Sequence, residues 1–201
     1  MSLGEIDDGA DPGTGPSLTR SQAARRDRVI AAAMTLASAG GYESVQMRDV
    51  AATADVALGT IYRYFSSKDE LLAATLVDWS KALEQRLAHR PPRGDTPGEQ
   101  VIDVVARASR AMERNPKLTS ALITAVASPD PAVLACQRDV SAIMTNLLGG
   151  PLASVDPQLR EEVVRVLAHV WFSALLGWVN GWTTVSGVVD ELEIAVRLLL
   201  R

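Results

Sequence analysis

The sequence contains very little cysteine and histidine. Cys136 is the single cysteine among 201 residues, which excludes an intrachain disulfide framework and a thiolate metal cluster. The two histidines, His89 and His169, lie at no metal-ligand or catalytic spacing with Cys136 or with carboxylates. The sequence also lacks a glycine-rich phosphate loop and an H-E-x-x-H motif. These absences argue against an enzyme and against a metal or other cofactor, and they fit a protein of the reducing cytoplasm.

No segment shows the alternation of apolar and polar residues that is typical of a β-strand. Every periodic segment after residue 20 has the spacing of an amphipathic helix instead. Hydrophobic residues make up 47% of the chain, so there is enough apolar surface to bury a core. The pattern predicts an all-α fold of about nine helices.

Charge is distributed unevenly along the chain. Residues 1–16 are rich in glycine and proline and carry four acids and no base, and they lack the cationic start and apolar run of a secretory signal. We predict a disordered tail over residues 1–20. Residues 17–68 carry a net charge of +3, although the whole chain carries −4. The positive charge therefore lies where a surface that binds phosphates would need it.

Residues 21–69 have the pattern of a three-helix unit. Two short apolar stripes at residues 47–54 and 58–65 are separated by a tight turn, and a longer helix that ends at Gly40-Gly41 precedes them. Two helices joined by so short a turn must cross at a steep angle and pack against that first helix. The pattern predicts a DNA-binding domain over residues 21–69, with a helix-turn-helix at about 47–65.

The second stripe predicts which side chains face DNA. If Leu58, Ile61 and Phe65 face inward, the outward positions of the same helix lie together. Arginine can bind the O6 and N7 atoms of guanine, which points to Arg48 at the start of the second helix and to Arg63 on the outward face of the third. A lysine in the first turn of the next helix can bind phosphate. For each charged residue, an ordinary solvated surface position is the alternative. The candidate DNA-contacting residues are Arg48, Gly59, Thr60, Tyr62, Arg63, Tyr64 and Lys68.

A helix over residues 68–89 is expected to link this unit to a helical ligand-binding and dimerisation domain over residues 70–201. Asn115-Pro116 and Ser128-Pro129-Asp130-Pro131 have the pattern of helix ends and caps. Apolar side chains from several of these helices could line an elongated cavity for a hydrophobic ligand, and simple core packing is the alternative for each. The candidate pocket residues are Trp79, Met112, Leu118, Leu122, Met144 and Trp171.

Residues 166–182 carry no formal charge and include Gly177-x-x-x-Gly181. His169, Ser173 and Asn180 interrupt the run, which is too short and polar for a membrane span. We expect a helix buried on more than one side, with glycines that let another helix approach closely. Paired with the last helix, it would form a four-helix dimer interface. The candidate interface residues are Val170, Gly177, Trp178, Gly181, Leu192 and Val196.

Residues 25–72, above all the stretch VQMRDVAATADVALGTIYRYFSSKDELL, resemble the TetR family of bacterial transcriptional regulators. The resemblance implies a TetR-like fold and a homodimer that binds a near-palindromic double-stranded DNA operator. It also implies a cytoplasmic, nucleoid-associated protein that does not interact with a membrane. It also implies a small-molecule effector. One departure is the small start Ala57-Leu58-Gly59 of the recognition helix, which offers no polar side chain for reading bases there.

The pieces GGYESVQMRDVA, GTIYRYFSSK, SRAMERNPKLTSAL, VWFSALLGWV and AVRLLL resemble actinobacterial repressors of cholesterol catabolism within this family. That narrower resemblance implies repression of steroid or lipid catabolism genes, relieved by a steroid or an acyl coenzyme A thioester. Two alternatives remain at this stage. The chain could be a TetR-type regulator of an unrelated pathway such as efflux, or a helical protein-binding adaptor without DNA activity.

Overall fold

The computed structural model describes residues 19–200, and within that range it consists of helices and connecting loops without a strand. This confirms the predicted all-α fold. The predicted tail lies outside the described residues as far as residue 18. The nine α-helices of the described range are α1 (Arg20–Gly40), α2 (Met47–Thr53), α3 (Leu58–Tyr62), α4 (Lys68–Ala88), α5 (Pro97–Glu113), α6 (Pro116–Val126), α7 (Leu134–Gly149), α8 (Pro157–Val179) and α9 (Val185–Leu199). Two short 3-10 helices, at Tyr42–Ser44 and Pro131–Val133, follow α1 and precede α7.

The first helix has defined ends that the sequence explains. Thr19 caps α1, accepting a hydrogen bond from the Gln22 backbone while the Gln22 side chain accepts one from the Thr19 backbone. The helix stops at Gly41, whose φ of 76° lies in the region that favours glycine. Ordered helix thus begins at Arg20, at the end of the segment predicted as a tail.

Helices α1 to α3 and the start of α4 contribute to an apolar core that continues into the C-terminal helices. Val29 and Ala33 of α1 are fully buried beside Ile61 of α3, and Phe65 is 3% exposed. Arg26 of α1 donates a hydrogen bond to Asp78 of α4 at 2.9 Å. This pair joins the two long helices that hold the short ones.

Helix α4 is shared with the rest of the molecule, since an unbroken run of its side chains, residues 71–77, is buried. Helices α6 and α7 pack against α4, and α5, α8 and α9 pack against these helices and one another, with Trp171 of α8 fully buried in the core. By length and hydropathy α8 is the one described helix that could cross a membrane. Its fully buried Leu167 and Trp171 belong to the main core instead.

Candidate nucleic-acid interface and ligand pocket

The turn between α2 and α3 sets the geometry of the candidate nucleic-acid interface. Asp55 adopts a φ of 52°, a left-handed conformation that aspartate tolerates better than most residues. The guanidinium of Arg28 on α1 donates to the carbonyl of Ala54 at 3.4 Å, which ties this turn to the first helix. The three-helix arrangement predicted for residues 21–69 is therefore present.

The structure of α3 corrects part of the prediction of which side chains face the core. Ile61 and Phe65 are buried as expected, but Leu58 is 41% exposed, so the prediction that it faces inward is wrong. The prediction that Tyr64 faces outward is also wrong, because Tyr64 packs against the core and its hydroxyl is buried. Leu58 is the first residue of α3, and Tyr64 lies two residues beyond its end at Tyr62.

The remaining candidates on α2 and α3 lie on an accessible surface. Arg48 and Arg63 are exposed, Tyr62 is 52% exposed and Thr60 is half-buried. Arg48 lies 3.5 Å from the neighbouring Asp49, a solvated pair that holds it only weakly. These side chains are at least partly accessible on the surface of α2 and α3, and the Arg63 guanidinium lies 5.4 Å from the centre of the Tyr64 ring.

Gly59 has no structural role inside the chain. It has an ordinary φ, and a Cβ atom added there would meet no atom within 4 Å. The fold would accept a larger residue at this exposed position, so neither internal crowding nor backbone conformation accounts for the glycine. Close approach of another molecule to the start of α3 is a physical reason for it.

Lys68 has an intramolecular environment that the sequence did not indicate. Its ammonium group lies 3.7 Å from the centre of the Tyr42 ring and donates to the Tyr42 carbonyl at 3.4 Å. The cation–π contact and this hydrogen bond compensate for its unfavourable place at the start of α4. The phosphate contact predicted for Lys68 remains a prediction.

A small cavity of about 20 Å³ lies between α4, α5 and α6. It has room for about one water molecule. Four of the six candidate pocket residues line it, namely Trp79, Met112, Leu118 and Leu122. The lining residues that the sequence did not single out are Leu76, Ala111, Asn115, Thr119 and Ile123.

The other two candidates do not line this cavity. Met144 of α7 is half-buried against the core, and Trp171 of α8 is fully buried. The Trp171 indole nitrogen has no hydrogen-bond partner within residues 19–200. An apolar residue at helical spacing predicts burial but not which interior surface it faces.

The start of α6 is bonded to the end of α1. The side-chain oxygen of Asn115 caps α6 by accepting a hydrogen bond from the Leu118 backbone. Its side-chain nitrogen donates to the Ser38 hydroxyl at 2.7 Å. Lys117 donates to the carbonyl of Ala39 at 2.9 Å. The sequence indicated only a helix end at Asn115-Pro116, whereas the structure shows that Asn115 caps α6 and that its second polar atom links the cavity helix to the DNA-binding unit.

The segment after α6 is bonded to the first turn of α4. The Ser128 hydroxyl donates to Asp69 at 2.6 Å, and the Ser67 hydroxyl donates to Asp130 at 2.7 Å. Asp69 also accepts from the Tyr42 hydroxyl. Burial, followed by this hydrogen bond to Asp69, raises the pKa of Tyr42 to about 12. We call the three hydrogen bonds Ser128–Asp69, Tyr42–Asp69 and Ser67–Asp130 the α4 latch.

Asp130 shows the same double use of a capping residue. One carboxylate oxygen accepts from the backbone of Ala132 and caps the 3-10 helix, and the other accepts from Ser67. The hydrogen bond from Ala132, with that from Ser67, lowers the pKa of Asp130. The sequence predicted the cap alone, since a pattern cannot show where a free carboxylate oxygen points.

The burial of residues on α8 and α9 corrects the predicted dimer interface. Leu192 is fully buried, Val196 is 8% exposed and Gly177 is buried, so none of them offers a surface. Gly181 lies beyond the end of α8 with a φ of 77°, and the predicted helical glycine motif is therefore absent. Val170 and Trp178 are half-buried. The large exposed apolar side chains of this region are Leu159, Val166, Phe172, Trp182, Ile194 and Leu198.

Within residues 19–200, no group of three or more histidine, cysteine, aspartate or glutamate side chains could hold a metal ion. Burial, with the nearby charge of Glu70, raises the pKa of the Cys136 thiol, which makes a thiolate less accessible there.

Comparisons with known proteins agree with this architecture. The family of tetR bacterial regulatory proteins matches residues 29–75, and the tetracyclin repressor-like C-terminal domain matches residues 94–199. The chain is 36% identical over 183 residues to the HTH-type transcriptional repressor KstR of Mycobacterium tuberculosis, covering 90% of this chain and 83% of the relative.

Solved structures show the same fold. A TetR transcriptional regulator from Rhodococcus sp. RHA1 has a TM-score of 0.81 at 28% identity, covering 90% of this chain and 98% of that chain. Thermus thermophilus FadR, a transcriptional repressor in complex with lauroyl-CoA, has a TM-score of 0.65 at 24% identity, covering 87% and 93%. The prediction of a regulator rather than an enzyme is confirmed by these families and relatives. The chain belongs to the TetR family of bacterial transcriptional regulators.

Proposed function

We propose that this protein is a dimeric repressor whose DNA binding is relieved by a hydrophobic effector, a steroid or an acyl coenzyme A thioester. The observation that carries the proposal is the position of α6. This helix lines the cavity with Leu118 and Leu122, and hydrogen bonds near both of its ends join it to the DNA-binding unit. A ligand that displaces α6 would therefore act on the helices that hold the DNA-contacting surface.

The size of the cavity implies that an effector changes the helix packing. A drug-sized ligand needs roughly 300 Å³ or more, and the cavity holds about 20 Å³. The effector must therefore move the surrounding helices apart. We call the helix packing of the present structure, with the hydrogen bonds of Asn115, Lys117 and the α4 latch, the closed arrangement, and the packing with separated helices the open arrangement. A ligand that favours the open arrangement over the closed one shifts the population toward it. If the closed arrangement binds DNA, the effector releases DNA.

The class of effector follows from the cavity walls and from the relatives. The walls are mainly apolar, with Leu76, Met112 and Leu122 among them, and such walls suit a hydrocarbon body. The chain resembles KstR over most of its length, and the same fold accommodates lauroyl-CoA in Thermus thermophilus FadR. Both comparisons support a lipid effector and, through the resemblance to repressors of cholesterol catabolism, a steroid in particular.

For DNA recognition, we propose that two copies of the α2–α3 surface bind the half-sites of a near-palindrome. Arg48 and Arg63 are the proposed base readers because both are exposed and arginine binds guanine in a bidentate manner. Thr60 and Tyr62 would bind the DNA phosphate backbone, and Gly59 would allow the start of α3 to approach the DNA closely. Tyr64 and Lys68 would have to leave their present intramolecular contacts to take part.

For dimerisation, we propose that α8 and α9 pair across a two-fold axis. Phe172 is 39% exposed, Ile194 is 44% exposed and Leu198 is 57% exposed, and large apolar side chains concentrated on two helices mark an interaction surface. Pairing these helices with their copies would form a four-helix interface.

The experiment that tests the function is a gel shift on operator-like DNA combined with a thermal shift of the purified protein. The ligands are steroid and long-chain acyl coenzyme A thioesters, each with its free acid as a control. We expect a thermal shift together with DNA release for at least one thioester. Intact DNA binding with no response to either class would refute the proposed effector, and no sequence-selective shift would refute the repressor.

A further inference from the structure

A groove on the surface of the protein adjoins the internal cavity. It has a volume of about 670 Å³ and lies between α1, which contributes Met34, and α4, which contributes most of the other lining residues. The cavity between α4, α5 and α6 holds about 20 Å³. A drug-sized ligand needs roughly 300 Å³ or more, so the groove has the space that the cavity lacks.

Trp79 lines both spaces. It is the residue that the groove and the cavity have in common. It is also half-buried, as expected for a side chain between the surface and the interior. Because this one side chain borders both spaces, a change of its rotamer can connect them. A ligand in the groove then has a path into the cavity.

The lining of the groove changes from apolar to polar along α4. Met34, Trp79 and Ala82 form its apolar part. Arg86 and His89 belong to its polar part, and they follow Trp79 by seven and ten residues. At a rise of about 1.5 Å per residue they lie about 10 and 15 Å further along the helix axis. An elongated ligand with a hydrocarbon body and a polar end fits this order.

The charges of the groove favour an anion as that polar end. Arg86 is exposed, and its Nε atom donates to the Ala82 carbonyl at 3.0 Å. None of the ion pairs within residues 19–200 involves Arg86. Asp78 also lines the groove, but its carboxylate accepts a hydrogen bond from Arg26 at 2.9 Å, which balances its charge. The Arg86 guanidinium therefore suits a phosphate or a carboxylate of the ligand.

The groove also lies beside a contact with the DNA-binding unit. The Arg26–Asp78 pair joins α1 to α4, and the Arg26 guanidinium lies 5.7 Å from the centre of the buried Phe65 ring that follows α3. A ligand beside Asp78 is therefore next to a residue that is bonded to the first helix. Occupancy of the groove can in this way alter how α1 is held against α4.

We propose that the groove between α1 and α4 is the outer part of the effector site, which binds the anionic end of the effector at Arg86 while the hydrocarbon body enters the cavity past Trp79. This inference rests on the proposed effector-relieved function and adds the route of entry and the position of the polar end. In a coenzyme A thioester the phosphates supply the anion, and in a free acid the carboxylate supplies it.

The first test blocks the groove chemically in the full chain. Ala82→Cys is made together with Cys136→Ser, so that it carries the single thiol, and is modified with N-ethylmaleimide. Dissociation constants are measured for lauroyl-CoA, for the steroid thioester 5-cholenoyl-CoA and for their free acids. We expect the modification to weaken binding of at least one thioester by about tenfold or more, because the added group occupies the groove. The matched control is modified Ala88→Cys, at another exposed alanine of α4 that does not line the groove, which should bind as the unmodified protein does.

The second test removes the charge of the polar end. Arg86→Gln is expected to weaken binding of the same thioester about threefold to fivefold, as for a solvated ion pair. Lys81→Gln removes a charge from an exposed position of α4 outside the groove and should have no effect. A loss confined to the thioesters assigns the phosphates to Arg86, and a loss for the free acids as well assigns the carboxylate.

The third test concerns the path into the cavity. Trp79→Ala removes the ring between the groove and the cavity, so the association rate constant for the bound thioester should rise about threefold or more, because a larger fraction of the protein is open to entry. Stopped-flow fluorescence measures this rate constant. If Trp79→Ala does not fold, the chemical block decides.

The outcomes separate this inference from the proposed function. A wild type that binds neither thioester overturns the proposed effector and this inference together. A wild type that binds a thioester and releases DNA, while modified Ala82→Cys binds it equally well, overturns the inference alone. Equal losses in Arg86→Gln and Lys81→Gln, or an unchanged association rate in a folded Trp79→Ala, likewise overturn it and leave the proposed function intact.

Discussion

The hydrogen bond from Ser128 to Asp69 offers a direct test of how the effector would reach the DNA-binding unit. It is 2.6 Å long and joins the segment after α6 to the first turn of α4. Ser128→Ala removes this bond by deleting one oxygen atom. A hydrogen bond to a charged group contributes about 1.5–3 kcal/mol. Because this one is only partly buried, we expect the lower end, which corresponds to about a tenfold change in an equilibrium constant.

The assay measures the dissociation constant for operator DNA by fluorescence anisotropy, with and without saturating effector. The ratio of the two constants is the coupling between effector and DNA. We expect Ser128→Ala to reduce this ratio about tenfold, because the bond favours the closed arrangement only while α6 and α4 stay together. By reciprocity, the effector affinities of the free and DNA-bound protein should converge by the same factor.

The matched control is Ser141→Ala, at an exposed serine on α7 of the same domain. It should keep the wild-type ratio. A ratio in Ser128→Ala equal to that of the wild type would refute the role of the latch in coupling. A fall of equal size in Ser141→Ala would show that the effect is not specific to the latch.

Three further predictions concern recognition, assembly and pH. Arg48→Ala and Arg63→Ala should each lose about 1–3 kcal/mol of operator discrimination in competition binding, with unchanged circular dichroism; retained discrimination would remove them as base readers. Phe172→Glu, on the exposed face of α8, should halve the sedimentation mass, whereas Leu134→Glu, at a 49% exposed position on α7, should not. Burial and the bond to Asp69 raise the pKa of Tyr42 from 10.0 to about 12, so the stability it contributes is present below pH 10 and lost as the pH rises toward 12. The difference in melting temperature between wild type and Tyr42→Phe should therefore shrink above pH 10, and a constant difference would contradict the assignment.

Local pattern was enough to predict the helices and the paired short helices of the DNA-binding unit. Ile61 and Phe65 are buried as their spacing indicated. The same rule failed at Leu58, the first residue of α3, and at Tyr64, which lies beyond its last residue. Periodicity predicts a face only for as long as the backbone stays helical.

The pocket was partly predictable for a similar reason. Apolar residues at helical spacing identified Trp79 and Met112, which do line the cavity. The same signal also selected Trp171, which lies elsewhere in the core. Hydrophobicity indicates that a side chain leaves water, whereas the partner it meets depends on how the helices cross.

The sequence by itself determined the helical fold, several of the helix caps and the family, because each depends on short-range spacing or on a dense motif. The tertiary structure alone decided what the second polar atoms of Asn115 and Asp130 bind, and which groups stay without a partner in the core. These contacts join residues more than 60 positions apart, and a local pattern carries no information on such distances. The link between the cavity and the DNA-binding unit is therefore a property of packing, while the DNA-binding unit itself is a property of the sequence.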